Sequence, residues 1–282
     1  MKGFSMKLCD LHTHSIYSDG TSTPAELIKL AKGAGLSAIA LTDHNTVSGI
    51  PHFLKAAEGS DVIAVPGIEV SSDYLGNELH IVGLFRSLDH LDEVEDYVAA
   101  YLERKEQSNI DLCCNLTADG YEVSYEKVKS ATPDGTVNRA LIAAELMRCG
   151  YVESIKAAFA TLLSKKGGYY HEPEKLNAFD VITKLGEFDA IPILAHPFLS
   201  LDEAQLHSFL PKAKAAGLIG METDYSTFDQ ATTAQAHALA EKYGLLPSGG
   251  SDYHGTNKPD ISVGTGKGSL LVPFAYYENL VK

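Results

Sequence analysis

The sequence predicts an α/β protein, a distorted seven-stranded (β/α) barrel with an inserted helical subdomain. Three observations predict it. Short apolar runs alternate with helical patterns at both ends of the chain, strand signals thin out between residues 88 and 170, and histidines and carboxylates recur at the ends of the apolar runs. Barrel enzymes carry their chemistry on loops at the C-terminal ends of the strands, so the third observation tests the fold and locates a site at once.

Residues 7–11 read as the first strand, followed by Asp10-Leu-His-Thr-His-Ser-Ile-Tyr-Ser-Asp-Gly20. If the extended chain continues, His12 and His14 lie on one face and both rings reach one ion, while Asp19 adds a hard oxygen. Thr23-Pro24-Ala25-Glu26 is a capping box with proline at the first helical position, opening a helix that runs to about Ala34. Strand 38–42 delivers Asp43 and His44, helix 51–58 follows, and strand 62–65 leads to Gly67 and Glu69.

Residues 68–74 and 78–85 flank Gly76-Asn77, which predicts a two-residue hairpin turn. Leu75 then pairs with Glu78 and Asp73 with His80. Glu69 and His80 share a face but stand four residues apart along the ladder, roughly 13 Å. The helical stretch 88–170 has breaks at 118–120, 133–135, Gly150 and 167–168. Alternation resumes with helix 178–187, strand 190–195, helix 201–216, strand 218–223, helix 229–243 and strand 245–248. The expected domains are residues 1–87 with 171–282 for the barrel and 88–170 for the insertion.

His12, His14, His44, Glu69, His196, Asp252 and His254 all fall at or just past strand ends from both halves of the chain, whereas His80 sits early in its strand. His52, His207 and His237 lie within predicted helices and His90 in an acidic stretch, as ordinary surface histidines do. His171 follows Gly167-Gly168-Tyr169-Tyr170 and reads as a loop residue. Six imidazoles and three carboxylates, counting Asp19 and His80, suffice for two divalent ions, or three with shared ligands.

A chain of 282 residues with 45% hydrophobic content buries a full core. The formal charge of -14 argues against a broad basic surface for long duplex DNA. Bound divalent cations would instead draw in a small anionic substrate locally. Cys9, Cys113, Cys114 and Cys149 show no C-x-x-C pairing, which fits a reducing compartment. The first six residues hold no apolar leader, and no stretch is long enough to span a membrane. A cytoplasmic protein without membrane contact is expected.

With these motifs assembled (His-x-His, Thr42-Asp-His44, Glu69, His80, His196-Pro197 and Gly250-Ser-Asp-Tyr-His254), the sequence resembles the PHP family of metal-dependent phosphoesterases, the polymerase and histidinol phosphatase type. The likeness is to the branch acting on nucleotides and RNA 5′ ends, and it covers nearly the whole chain. It implies that His12, His14, Glu69 and Asp252 hold one ion. Glu69 would bridge to a second, held with His80 and His196, and Asp19, His44 and His254 would hold a third. Mixed nitrogen and oxygen ligands suit Mn, Zn or Fe without choosing among them. Two positions depart from the family: Asn45 stands where relatives commonly carry Asp, and Leu141 where they often carry His.

The implied function is hydrolysis of a phosphate ester of a nucleotide, of the 3′,5′-bisphosphate type, or of a short RNA 5′ end, through metal-bound hydroxide. Metal binding lowers the pKa of water and paired ions clamp attacking and leaving oxygens, so no covalent nucleophile is needed. Glu69 and Asp252 carry most of the chemistry in this reading. In the insertion, Asn138 and Arg139 open a helix whose free N–H groups and dipole favour a phosphate, and Lys166 ends the next helix. The resemblance puts an arginine at this place on the substrate side. A histidinol-phosphate-like phosphomonoesterase, an amidohydrolase-type enzyme and a non-catalytic metal- or nucleotide-binding module are the alternatives.

Overall fold

The structure is a computed structural model that describes residues 6–131 and 137–282. The expected break at 133–135, Thr136 and most of the first six residues lie outside that range. Two compact units make up the chain, Met1–Val98 with Lys175–Lys282, and Ala99–Glu174. These boundaries replace those expected at 87/88 and 170/171, for two physical reasons. The first two turns of the long helix bury Val94 and Val98 in the barrel's largest apolar cluster. At the other end, Ser108 Oγ donates to the His171 carbonyl and keeps that segment with the insertion.

In chain order the elements are β1 (Leu8–Asp10), α1 (Pro24–Gly33), β2 (Ala38–Leu41), α2 (Ile50–Ala57), β3 (Ile63–Tyr74), β4 (Asn77–Phe85) and α3 (Leu91–Ala118). The second unit continues with α4 (Tyr125–Ser130), α5 (Arg139–Arg148), α6 (Ile155–Ala160) and a 3-10 turn at Lys165–Gly167. The first unit resumes with α7 (Ala178–Glu187), β5 (Ala190–Leu194), α8 (Pro197–Ser200), α9 (Glu203–Ala215) and β6 (Gly220–Tyr225). It ends with α10 (Gln230–Tyr243), β7 (Leu246–Gly250), β8 (Val272–Pro273) and α11 (Phe274–Leu280).

One sheet runs β7-β6-β5-β4-β3-β2-β1-β8. Strand β4 is antiparallel to both β3 and β5, and β8 is antiparallel to β1. The count is therefore eight where seven strands were expected. Strand β8 has two residues, one of them proline, and carries no alternation by which a sequence could announce it. The expected strands 62–65 and 68–74 are also one continuous strand through Pro66-Gly67.

Closure comes from β7 meeting the exit of β1: the Leu11 N–H donates to the Gly249 carbonyl and the Asp252 N–H to the His12 carbonyl. Gly250 permits this approach, because a Cβ there would collide with His12. Alternate residues face inward and pack together: Cys9, Leu11, Ala38, Ala40, Val65, Val82, Leu84, Ile191 and Ile193. The opposite faces of β3 to β5 pack against α7 and α9, and Ile39 and Leu41 pack against α1 and α2. The capping box of α1 is formed, with the Thr23 hydroxyl accepting from Glu26 N–H and the Glu26 carboxylate from Thr23 N–H.

The hairpin differs from expectation. Leu75 and Gly76, with φ of 53° and 84°, form the two-residue turn, as a type I′ turn requires. Tyr74 pairs with Asn77 and Ser71 with His80, so His80 stands two residues from Glu69 along the ladder rather than four.

Candidate metal centre

Glu69 lies on the inner face of β3, two and four positions beyond Gly67 and Val65, and is fully buried. His80 lies on the inner face of β4. Because β4 runs antiparallel to its neighbours, its beginning lies at the end of the barrel where the parallel strands finish. That accounts for the one histidine that sits early in its strand. His80 Nδ1 and His196 Nε2 both lie 3.0 Å from Glu69 Oε1.

The other carboxylate oxygen, Glu69 Oε2, faces a second group. It is 3.1 Å from His12 Nε2, 3.2 Å from His14 Nε2 and 3.2 Å from His44 Nδ1, yet has no hydrogen-bond partner. His12 Nε2 and His14 Nε2 are 3.1 Å apart, and Asp252 Oδ1 lies 3.2 Å from His14 Nε2 and 3.7 Å from His12 Nε2. Four ligands about 2.0–2.1 Å from a tetrahedral centre stand about 3.3–3.4 Å from one another. The spacing of His12, His14, Glu69 and Asp252 matches that figure. A third group gathers on Asp19, with His254 Nε2 at 3.2 Å, His14 Nδ1 at 3.7 Å and His44 Nε2 at 4.0 Å.

Eight of the nine residues expected as ligands thus fall in three overlapping groups, and His196 adjoins them through Glu69 Oε1. His44 divides its two nitrogens between the Asp19 and Glu69 groups instead of serving the former alone. Asp19, with its side chain 56% exposed, is the outlying member. His52, His207 and His237 lie on α2, α9 and α10, apart from the groups.

The electrostatics favour cations. Burial disfavours a charged His14, but the adjoining Asp252 and Glu69 carboxylates outweigh it and push the pKa up to about 9. His80 rises to about 10, burial being overcome by Glu69. His44 goes the other way, to about 3, because burial and the neighbouring His14 and His80 outweigh Glu69. Burial alone would raise the Glu69 pKa, yet the surrounding imidazoles hold it well below the usual range. The carboxylates call for positive charge that crowded imidazoles cannot all supply as protons. Divalent ions on neutral imidazoles satisfy both demands, so the residues fit a metal cluster.

Several supporting groups escaped sequence reasoning. Glu222 on β6 is buried, with Oε1 2.8 Å from His12 Nδ1 and Oε2 accepting from the His196 N–H at 2.6 Å. Asp43 accepts from the Ser15 N–H and the Ser15 and Ser18 hydroxyls, fixing the loop that carries Asp19. Asp10 accepts from the backbone N–H groups of His12, Ser251 and Gly264. Asn45, where the family commonly has Asp, exchanges two hydrogen bonds with Ser71. A carboxylate hydrogen-bonded to the far nitrogen of a ligating imidazole is the usual outer support of a metal site. Glu222 shares its strand with Asp224 and no motif marks it, whereas Asp10 and Asp43 lie inside the motifs and Asn45 beside one, and the motif spacing does not disclose their supporting roles.

A cleft of about 520 Å³ opens beside the groups, lined also by Asn77, Glu78, Leu199, Tyr225 and Lys258. In the second unit, the Asn138 side chain accepts from the Leu141 N–H and caps α5. The Arg139 guanidinium lies 4.1 Å from the Tyr170 ring centroid and 5.5 Å from that of Phe159. Lys166 is exposed in the 3-10 turn.

A distorted (β/α) barrel with buried His, Asp and Glu side chains converging at the ends of its strands defines the class of metal-dependent hydrolases. The chain belongs to the PHP domain family, which it matches over residues 10–172. It is 33% identical to a phosphoribosyl 1,2-cyclic phosphate 1,2-diphosphodiesterase of Eggerthella lenta, over 87% of this chain and 94% of that protein. A 5′-3′ exoribonuclease of Haemophilus influenzae is 29% identical over 88% and 90% of the two chains. A 3′,5′-nucleoside bisphosphate phosphatase of Chromobacterium violaceum is 26% identical over 90% of each. The fold is shared with a metal-dependent phosphoesterase candidate from Bifidobacterium adolescentis, with a TM-score of 0.76 at 23% identity over 98% and 96% of the chains.

Proposed function

We propose that this protein is a metal-dependent phosphoesterase that hydrolyses a phosphate ester of a nucleotide, of the 3′,5′-bisphosphate type, or of a short RNA 5′ end. The observation that carries the reading is Glu69, whose two oxygens face two different groups of imidazoles at 3.0–3.2 Å. The relatives that act on bisphosphates, cyclic phosphates and RNA ends support the substrate class.

Two to three divalent ions of Mn, Zn or Fe would lower the pKa of water and neutralise charge on the phosphoryl group. The chain's own residues hold and orient. Glu69 and Asp252 neutralise the charge brought together at the centre and set its spacing. His12, His14, His44, His80, His196 and His254 complete the ligand set, with Asp19 at the rim. The helical unit would supply residues that recognise a second phosphate. There Arg139, its guanidinium 4.1 Å from the Tyr170 ring centroid, would supply the charge, with Asn138 next to it in sequence and Lys166 in the 3-10 turn.

No helix among the described residues is long and apolar enough to cross a membrane. The four cysteines are free thiols, in keeping with a reducing, cytoplasmic setting.

A phosphate-release screen tests this reading. It covers nucleotide mono- and bisphosphates, a cyclic ribose phosphate, histidinol phosphate and short 5′-phosphorylated RNAs, each with Mn, Zn and Fe, beside elemental analysis of the protein. Two to three ions per chain and release from a nucleotide or RNA substrate are expected. Fewer than one ion per chain with no gain on reconstitution, or no ester cleaved with any metal, refutes it.

A further inference from the structure

We propose that Lys258, positioned beside Tyr225 on the outer oxygen of Asp252, forms the chain's own binding point for a phosphoryl oxygen of the substrate. This inference rests on the phosphoesterase reading above. It starts from the way Asp252 divides its two oxygens. Oδ1 faces the imidazoles, 3.2 Å from His14 Nε2 and 3.3 Å from His254 Nδ1. Oδ2 is turned away from them and receives the Tyr225 hydroxyl at 2.6 Å and the Lys258 ammonium at 2.7 Å. Two donors therefore converge at one point of the cleft wall, outside the expected ligand set.

The backbone that carries Lys258 is fixed. Asn257 Nδ2 donates to the Asp19 carbonyl at 2.8 Å, and the Thr256 N–H to Thr21 Oγ1 at 2.8 Å. The Lys258 carbonyl accepts from the N–H of Ile261, a buried residue. The side chain itself is 41% exposed and reaches the cleft. An ammonium carries three donors, and Asp252 occupies one of them. The pair joins a 41% exposed ammonium to a 5% exposed carboxylate, and bracing Asp252 leaves the other two ammonium donors for a ligand in the cleft.

Charge makes the stronger argument. The chain carries a formal -14, and Glu78 and Asp252 both line the cleft. Among the described lining residues Lys258 is the sole lysine or arginine. Lys175 is engaged with Glu78 at 3.3 Å, so a dianionic phosphoryl group in the cleft meets Lys258 as the cation of the lining itself. Lysine binds phosphate as a point charge and tolerates variation in the rest of the ester.

The test uses the whole protein reconstituted with Mn and compares wild type, Lys258→Met, Lys258→Arg and Tyr225→Phe. Metal content, affinity for inorganic phosphate by calorimetry, and kcat and KM on the best substrate are measured. Lys258→Met is expected to keep its metal and weaken phosphate binding about tenfold to a hundredfold, the range for a charge-assisted hydrogen bond. Lys258→Arg should restore most of that loss, and Tyr225→Phe should show a smaller one. Unchanged phosphate affinity in Lys258→Met, or a loss that tracks lost metal, overturns the assignment and leaves Lys258 as a brace for Asp252. A metal-loaded wild type that binds no phosphate and cleaves no ester overturns the phosphoesterase reading itself.

Discussion

Replacing Glu222 by glutamine tests whether a residue that touches no reacting atom sets the affinity of the metal centre. The substitution keeps shape and volume in a site where the side chain is buried. It changes only the hydrogen-bond inventory. Glu222 accepts twice, from the His196 N–H at 2.6 Å and at His12 Nδ1 at 2.8 Å, whereas glutamine has one accepting oxygen and one donating amide.

If the oxygen stays with His196, the amide faces His12 Nδ1, and the ring proton moves to Nε2, the nitrogen that faces His14 and Glu69. If the amide turns round, it meets the His196 N–H donor to donor. Both outcomes damage the group formed by His12, His14, Glu69 and Asp252. Losing such an outer carboxylate weakens metal binding about 10- to 100-fold, or about 1.4–2.8 kcal/mol. The range for one charge-assisted hydrogen bond, about 1.5–3 kcal/mol, agrees. Chelator-competition titration of Mn and Zn measures it, with circular dichroism of the metal-free protein as the control for folding. A dissociation constant within twofold of wild type, in a folded variant, refutes the reasoning.

Glu69→Gln and Asp252→Asn are expected to reduce hydrolysis to background, while Asp19→Asn, at the exposed rim, stays within about tenfold of wild type when metal is in excess. Steady-state kinetics with elemental analysis decides it, and a metal-loaded Asp19→Asn that proves the most damaged of the three reverses the assignment. Arg139→Ala should weaken bisphosphate turnover by about 1.5–3 kcal/mol and leave a minimal monophosphate ester nearly unaffected. Equal losses in kcat/KM on both substrates, or none on either, remove Arg139 from the second-phosphate role.

The convergence of these side chains was legible in the sequence where the spacing is local, and His80 was the exception. His12 and His14 stand two apart at a strand end, and Asp252 and His254 repeat that spacing at another. The barrel rule then links segments far apart in sequence without any contact being known. Glu222 had no such local signature: its partner His12 lies 210 residues away, and one carboxylate in a strand is as compatible with solvent as with a buried imidazole. Backbone strain was equally invisible. His196 and Asp252 adopt φ of 27° and 54°, a conformation costing about 1–3 kcal/mol in a residue other than glycine, and only the assembled centre supplies a reason to hold it.

The hairpin shows why alternation has a limit. The expected register and the observed one differ by a slip of two residues, which leaves every side chain of β3 and β4 on the same face. A slip of one would have put Ile68, Val70, Leu79 and Ile81 on the wrong side and is excluded by the apolar pattern. A slip of two is not, so the decision falls to the turn. Gly76-Asn77 is the better two-residue turn by composition, whereas the chain turns at Leu75-Gly76 and places an 81% exposed leucine at positive φ. Asp73 Oδ2 accepts from the Gly76 N–H at 3.0 Å and offsets part of that cost. What the observed register gains is His80 opposite Ser71, which brings Nδ1 to 3.0 Å from Glu69 Oε1 instead of leaving the two residues roughly 13 Å apart. The turn is locally second-best, and the register it sets is the one that brings His80 to Glu69.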